Sequence, residues 1–265
     1  NAGYVDNTIA WNSSDAEGTG YYWHNPTSTG FNIVASNDNV NANGDTYIYM
    51  AIRRGSLFTP TDATKVFTPV LGDGSGTPSI KTTNHITDFG IAQNKTSGGT
   101  VVGSRLQGTK QLKTHTNGAE AANSYFNWDF QNGWHTWTGL NTNYINWNWK
   151  RAPSFFDVVA FSGNSTSGRT VSHNLGVAPE LMIVKRRTGG GASWTTYVSD
   201  LGATKYLRVN NTNAVATSSG FWNNTAPTSS VFTVGNDADV NGSGEDYIGY
   251  PVSYTHLRAH ETSHH

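Results

Sequence analysis

Runs of β-branched and aromatic residues, several alternating with a period of two, recur along this chain and predict short strands with one wet face. The clearest cover residues 46–54, 144–151 and 205–210, while 180–186 reads as a mostly buried strand ending in charge. Clusters of Gly, Asn, Asp and Pro separate these runs, as turns require, with Asn43-Gly44 and Gly189-Gly190-Gly191 the strongest turn signals. No stretch carries a sustained helical stripe. The best helix candidate is 119–122, one turn at most.

The strand pattern repeats. Asn39-Val40-Asn41, Gly44 and Tyr47-Ile48 recur 200 residues later as Asp239-Val240-Asn241, Gly244 and Tyr247-Ile248. A more diverged middle copy is visible where Leu106-Gln107-Gly108-Thr109-Lys110 resembles Leu201-Gly202-Ala203-Thr204-Lys205, and Asp88-Phe89 falls where Glu180-Leu181 falls. Tyr144-Ile145 likewise leads to Lys150-Arg151, much as Tyr47-Ile48 leads to Arg53-Arg54. A period of roughly one hundred residues is a domain-sized unit rather than a solenoid rung. The expected organisation is a partial β unit at 1–54, a diverged Trp-rich unit at 66–152, a further unit at 155–252, and a tail at 253–265. The expected fold is all-β, in repeated antiparallel β-sandwich-like units, because strands with one apolar face bury it by pairing sheets.

Composition sharpens this. Of 265 residues, 29 are Gly and 28 are Asn, and only 13% are charged, so amides and hydroxyls replace charge at the surface. Disorder is disfavoured because 12% of residues are aromatic and sit within the strand runs. A formal net charge of -1 argues against a nucleic-acid backbone binder. No run of eighteen apolar residues exists, so no membrane insertion is expected. The absence of Cys excludes disulfides and thiolate chemistry. No signal peptide is visible, and a first residue of Asn1 suggests a fragment.

Candidate chemistry is sparse. The densest feature is an aromatic block of Tyr125, Phe126, Trp128, Phe130, Trp134, Trp137, Tyr144, Trp147 and Trp149. Trp134, Trp137, Trp147 and Trp149 are candidate ligand-stacking residues, since an indole offers a broad apolar face with a polar edge. Trp147 and Trp149 share one strand face and are candidates for a platform; one face of that strand as core is the commoner outcome, and a subunit interface is a further reading. Asp237, Asp239, Asn241 and Glu245 place oxygens at alternate positions near a glycine turn, a candidate calcium loop. Position twelve would be Ile248, which cannot ligate, so an Asx-rich turn is the competing reading and no cofactor is assigned beyond that calcium candidate.

No pair of carboxylates announces a glycosidase. Glu120 lies in a small-residue loop and Glu180 and Glu245 beside strands with nothing pairing them, while Asp157 begins a strand and Asp129 sits among tryptophans. Ser172-His173 lacks the Gly-x-Ser-x-Gly context of a nucleophile elbow. The glycine run 189–191 is not followed by the Lys-Ser or Lys-Thr of a phosphate loop. Arg53-Arg54 and Lys185-Arg186-Arg187 read as solvated strand ends.

Phe156-Asp157-Val158-Val159-Ala160-Phe161-Ser162-Gly163, Gly168-Arg169-Thr170-Val171-Ser172-His173-Asn174-Leu175-Gly176, Pro179-Glu180-Leu181-Met182-Ile183-Val184-Lys185 and Phe232-Thr233-Val234-Gly235-Asn236 together resemble an uncharacterised repeat family of marine tailed-phage structural proteins, tail fibre-like. The likeness covers most of 20–250. It implies a virion-surface or extracellular protein, homo-oligomeric or assembled with other virion proteins, attaching to cell-surface glycans. It carries no catalytic residues. A non-enzymatic β-repeat attachment module is therefore expected; the alternatives are a ligand-free structural spacer and a polysaccharide-degrading tail enzyme. Residues 253–265 resemble translated sequencing-adapter read-through, so His256, His260 and His264 are not read as a metal site despite their helical spacing. Pro251, just before that tail, cannot donate to a central ladder and makes the last strand's edge suspect.

Overall fold

The computed structural model describes residues 6–8, 18–21, 24–26, 31–33, 40–47, 58–72, 83–96, 99–135 and 143–253. At the N-terminal end, β1 (Asp6–Thr8) pairs with β2 (Gly18–Tyr21), and β3 (His24–Pro26) with β4 (Phe31–Ile33). Beyond Tyr47, the strand predicted over 46–54 lies outside the described residues, as do Trp137 and the tail from 254 onward.

Two six-stranded antiparallel sheets follow. The first contains β5 (Phe67–Leu71), β6 (Phe89–Asn94), β7 (Thr100–Ser104), β8 (Lys110–Lys113), β9 (Ala121–Ala122) and β10 (Tyr144–Trp149), in the order β5-β10-β6-β7-β8-β9. The segment 119–122, the helix candidate, is thus partly edge strand: two alanines pair with Lys110 and Gln111 instead of closing a helical turn.

The remaining elements are β11 (Val159–Ser162), β12 (Arg169–Ser172), β13 (Leu181–Arg186), β14 (Thr195–Val198), β15 (Lys205–Arg208), β16 (Ala216–Thr217), the one-turn helix α1 (Ser219–Trp222), β17 (Val231–Val234), the one-turn helix α2 (Ala238–Asn241) and β18 (Asp246–Val252). The second sheet runs β11-β18-β13-β14-β15-β16, and β12 pairs separately with β17. Strand for strand, this is the order of the first sheet. The chain is all-β, built of repeated antiparallel β-sandwich-like units.

The offset of 200 residues also has a structural counterpart. The Tyr47 hydroxyl accepts from the Ala42 N–H at 2.7 Å, and the Tyr247 hydroxyl accepts from the Gly242 N–H at 2.7 Å. Between them, Gly44 (φ +89°) and Gly244 (φ +76°) occupy left-handed backbone, where a Cβ is strained. Tyrosine and glycine are coupled choices in this motif: the glycine turns the chain and the phenol bonds the amide across the turn.

Three apolar layers hold the described sheets. The outer face of the first is covered by Phe126, Trp128 and Trp134 over Ala92 and Val101. The indole of Trp134 lies directly on the backbone of β6: a Cβ at Gly90 would meet its ring at 2.6 Å. The outer face of the second is covered by Phe221, Trp222, Phe232, Val234 and Val240, from α1, β17 and α2. Between the sheets lies a shared core, with Phe89, Val102 and Leu112 of the first against Ile248 and Tyr250 of the second, and Phe155, Phe156 and Val158 from the connection. Burying each such large side chain favours folding by roughly 1.5–3 kcal/mol, and the central layer draws on both sheets at once.

Pro251 sits inside this arrangement, in a strand flanked by β11 and β13, not at an edge. Its carbonyl accepts from the Asp157 N–H at 3.0 Å. Backbone N and O of one antiparallel residue point the same way, so the proline nitrogen faces the 155–158 turn and not the β13 ladder. Ser253, where the tail was expected to start, still belongs to the fold: its N–H donates to the Phe155 carbonyl at 2.9 Å and its hydroxyl to Glu180 Oε2 at 3.0 Å.

Candidate functional site

Among its described residues the aromatic block is buried or half-buried except at Tyr125. Trp134 is fully buried, stacked on Trp128 with ring centroids 4.5 Å apart and planes 4° apart, and its Nε1–H donates to Asn148 Oδ1 at 2.7 Å. Trp149 is half-buried between Phe67 at 5.0 Å and Phe89 at 5.1 Å. Trp147 is half-buried on the same strand face, in register with Pro69 and Ile91. The expected Trp147–Trp149 platform is therefore not displayed, because Trp149 is engaged in the shared core. Asn146 and Asn148, between them, are fully buried on the outer face, and donate to the carbonyls of Val70 at 3.2 Å and Thr68 at 2.9 Å. Trp137 lies outside the described residues.

The candidate calcium residues do not converge. Asp237 caps α2, accepting from the Asp239 N–H at 2.8 Å. Asp239 accepts from Arg208 at 3.2 Å. Asn241 is buried, its amide donating to the carbonyls of Thr166 and Gly235 and its Oδ1 accepting from the Asn164 N–H. Glu245 accepts from the Thr188 hydroxyl at 2.6 Å. A one-turn helix sends alternate residues apart, so the Asx-rich turn is what forms. Among the described residues no three His, Asp or Glu side chains gather as a metal ion requires.

The catalytic candidates are similarly engaged. Asp157 is buried and accepts from Arg151 Nε at 2.5 Å and from the N–H groups of Val158 and Asn174. His173 is buried against Phe232; its Nδ1 accepts from the Leu175 N–H, and its Nε2 lies 3.2 Å from the Thr228 carbonyl. Burial pushes its pKa below the usual histidine range. Its neighbour Ser172 is exposed and takes no part in these bonds. Asp129 stands exposed, with its own N–H capped by Asn127.

The basic strand end 185–187 is not solvated as expected. Arg187 forms a bidentate pair with Glu120 of the first sheet's β8–β9 connection, at 3.0–3.2 Å, with side chains 6% and 4% exposed. Gln107 donates to the same carboxylate at 2.9 Å. Lys185 is fully buried and donates to the carbonyl of Ala192 at 2.9 Å. A second acceptor, the Asn117 carbonyl at 3.5 Å, comes from the first unit. Desolvation, with help from Arg186, lowers its pKa to about 8, against a smaller opposing pull from Asp239. Beside this junction a cleft of about 200 Å³ is lined by Lys110, Glu120, Arg187, Thr188 and Asp246. It contains two carboxylates, but both are committed: Glu120 to Arg187, and Asp246 to the Ser162 hydroxyl at 2.7 Å.

A shallow groove of about 400 Å³ lies on the outer face of the first sheet, along β7, β8 and β9. Val101 and Ala122 contribute apolar surface, with Gln111, Lys113, Asn123 and Ser124 as polar lining. Tyr125, 57% exposed, stands beside them. Its N–H donates to Asn123 Oδ1 at 3.1 Å, and Asn123 Nδ2 donates to Gln111 Oε1 at 3.0 Å, so the polar lining is preset. Phe126, the next residue, points inward: a Cβ at Gly103 would meet its ring at 2.5 Å. Tyr125 belonged to the aromatic block but was not singled out from sequence. The missed signal is its place between a turn-forming Asn123 and a core Phe126, which leaves its side chain outside.

Fold and surface together define a two-sheet, all-β repeat module with an open polar–aromatic groove and internally paired carboxylates. The family described as a domain of unknown function (DUF7483) matches residues 63–255, and the chain belongs to it. The match spans both six-stranded sheets and their shared core. No curated protein and no solved structure matches the chain.

Proposed function

We propose that this protein is a non-enzymatic attachment module of a virion appendage of the tail-fibre kind, binding saccharides of a cell surface in the groove beside Tyr125. The observation that carries the saccharide reading is the groove itself, where an exposed phenol ring adjoins a preset Asn123–Gln111 amide pair. A pyranose has an apolar face that packs on an aromatic ring and a rim of hydroxyls that pair with amides. The appendage part rests on the sequence likeness described above. A shallow site of this kind binds weakly, and many copies on one particle raise the avidity by orders of magnitude.

The structural-spacer reading draws on the Trp block, whose described tryptophans are core or half-buried. The hydrolase reading loses support because the carboxylates of the cleft are held in internal pairs.

The test is a polysaccharide panel, neutral and charged, read by affinity electrophoresis with the purified full chain and a Tyr125→Ala variant. At least one polysaccharide should retard the wild type, and the variant should bind roughly tenfold more weakly, a loss of about 1.4 kcal/mol. Absence of binding across the panel, or an undiminished Tyr125→Ala, would overturn the saccharide reading and leave the spacer.

A further inference from the structure

The two sheets provide an internal comparison for the groove. Gln111 and Lys113 on β8 correspond to Tyr206 and Arg208 on β15, 95 residues later. Tyr125 corresponds to Gly220 in the same register. The edge pairings confirm the alignment: Gln111 faces Ala121 as Tyr206 faces Ala216, and Lys113 faces Val101 as Arg208 faces Thr195.

In the second sheet this place is closed. Tyr206 stacks on Phe221 with ring centroids 3.7 Å apart, and Arg208 lies over both rings at 5.2 and 5.7 Å. Asp239 pairs with that guanidinium at 3.2 Å. The cation is thereby neutralised and the surface filled.

In the first sheet every one of these closures is relaxed. Gln111 replaces the covering ring, and the aromatic residue has moved to Tyr125, where it is exposed. The cation persists as Lys113, but the groove lining contains no carboxylate.

We infer that the groove takes an anionic pyranose, one bearing a carboxylate or a sulfate, with the ring on Tyr125, hydroxyls on Gln111 and Asn123, and the anion on Lys113. This rests on the saccharide reading above and adds the charge class. A neutral sugar would offer the exposed ammonium no opposite charge, whereas a uronate or sugar sulfate supplies one beside the stacked ring. Lysine suits this role because its long stem carries a point charge that adapts to either anion.

The experiment compares polygalacturonate, dextran sulfate and neutral dextran by affinity electrophoresis at low and physiological salt. Four full-length proteins are run: wild type, Lys113→Gln, Lys113→Arg and Tyr125→Ala, each checked by circular dichroism. Wild type should be retarded by at least one of the two anionic polymers, at least tenfold more strongly than by dextran. The stronger of the two identifies the anion. Lys113→Gln should lose that preference and Lys113→Arg should keep most of it. Equal binding of dextran would sink the anionic assignment while leaving saccharide binding intact. Binding to anionic polymers that survives Tyr125→Ala would trace it to diffuse surface charge and overturn the site. If none of the three polymers binds while another neutral polysaccharide of the wider panel does, the anionic assignment fails and the saccharide reading stands; if nothing binds anywhere, both fall.

Discussion

The buried pair Glu120–Arg187 offers the sharpest check on how the two sheets depend on each other. The carboxylate receives two guanidinium nitrogens at 3.0–3.2 Å and one amide from Gln107, and both charged side chains are more than nine-tenths buried. The backbone reinforces the contact, with the Glu120 N–H donating to the Arg187 carbonyl at 2.8 Å. Removing either partner leaves a buried charge in a low-dielectric junction, and such single deletions cost about 3–5 kcal/mol. Replacing both with apolar residues of similar volume removes the desolvation cost along with the attraction, and is often near neutral. We therefore expect Arg187→Met and Glu120→Leu each to lower the unfolding free energy by about 3–5 kcal/mol, and the double variant to recover most of it. The assay is urea unfolding followed by tryptophan fluorescence and by far-ultraviolet circular dichroism. Coincident transitions are expected, because the shared core draws on both sheets. Singles costing under about 1 kcal/mol, the scale of an exposed ion pair, or a double variant equal to the sum of its singles, would refute the reasoning.

Two further outcomes follow from the same geometry. Tyr247→Phe removes a hydroxyl that accepts from the Gly242 N–H and donates to the Ala238 carbonyl, both at 2.7 Å, and should cost about 1–3 kcal/mol in the same unfolding assay; a loss indistinguishable from zero would show that the repeated motif is held by its turn alone. Lys185 should make stability rise with pH: its folded pKa of about 8 lies below the ordinary lysine value of 10.5, so between those values the unfolded chain holds a proton that the folded chain has released. The gain approaches about 3 kcal/mol at the top of the window, before ionisation of Tyr197, Tyr247 and Tyr250, whose pKa values burial raises, reverses the trend above about pH 10. Melting curves at pH 7.5, 8.5 and 9.5 should show the rise in wild type and not in Lys185→Met; a flat wild-type profile contradicts the assignment.

Much of this architecture is present in local sequence. Strand periodicity is a property of neighbouring residues, and the matched runs 106–110 and 201–205 both lead into equivalent strands β8 and β15. The recurrence of Gly44 with Tyr47 and of Gly244 with Tyr247 also lies within a few residues, so the repeated turn was legible, whereas the phenol bond across it came from the structure. What could not be read is which polar and aromatic groups the sheets enclose. Residues 146–149 alternate Asn and Trp, yet both faces of β10 are covered, since Trp134 closes over the asparagines and the second sheet packs near the tryptophans. Arg187 looks like part of a solvated strand end because its partner Glu120 lies more than sixty residues away, and Lys185 because the first-unit carbonyl of Asn117 that helps the nearby Ala192 carbonyl hold it is equally distant. Tyr125 and Phe126 are alike in sequence, and only the bare backbone at Gly103 decides which ring goes inside.

Sequence by itself determined the strands, their repetition and the turns between them, because backbone propensity and side-chain alternation act over a few residues. The tertiary structure alone decided that the described tryptophans are largely interior, that a charged strand end is a junction between sheets, and that one copy carries an open groove where the other is sealed. Burial is set by what packs across the space between sheets, and those partners lie tens of residues away along the chain.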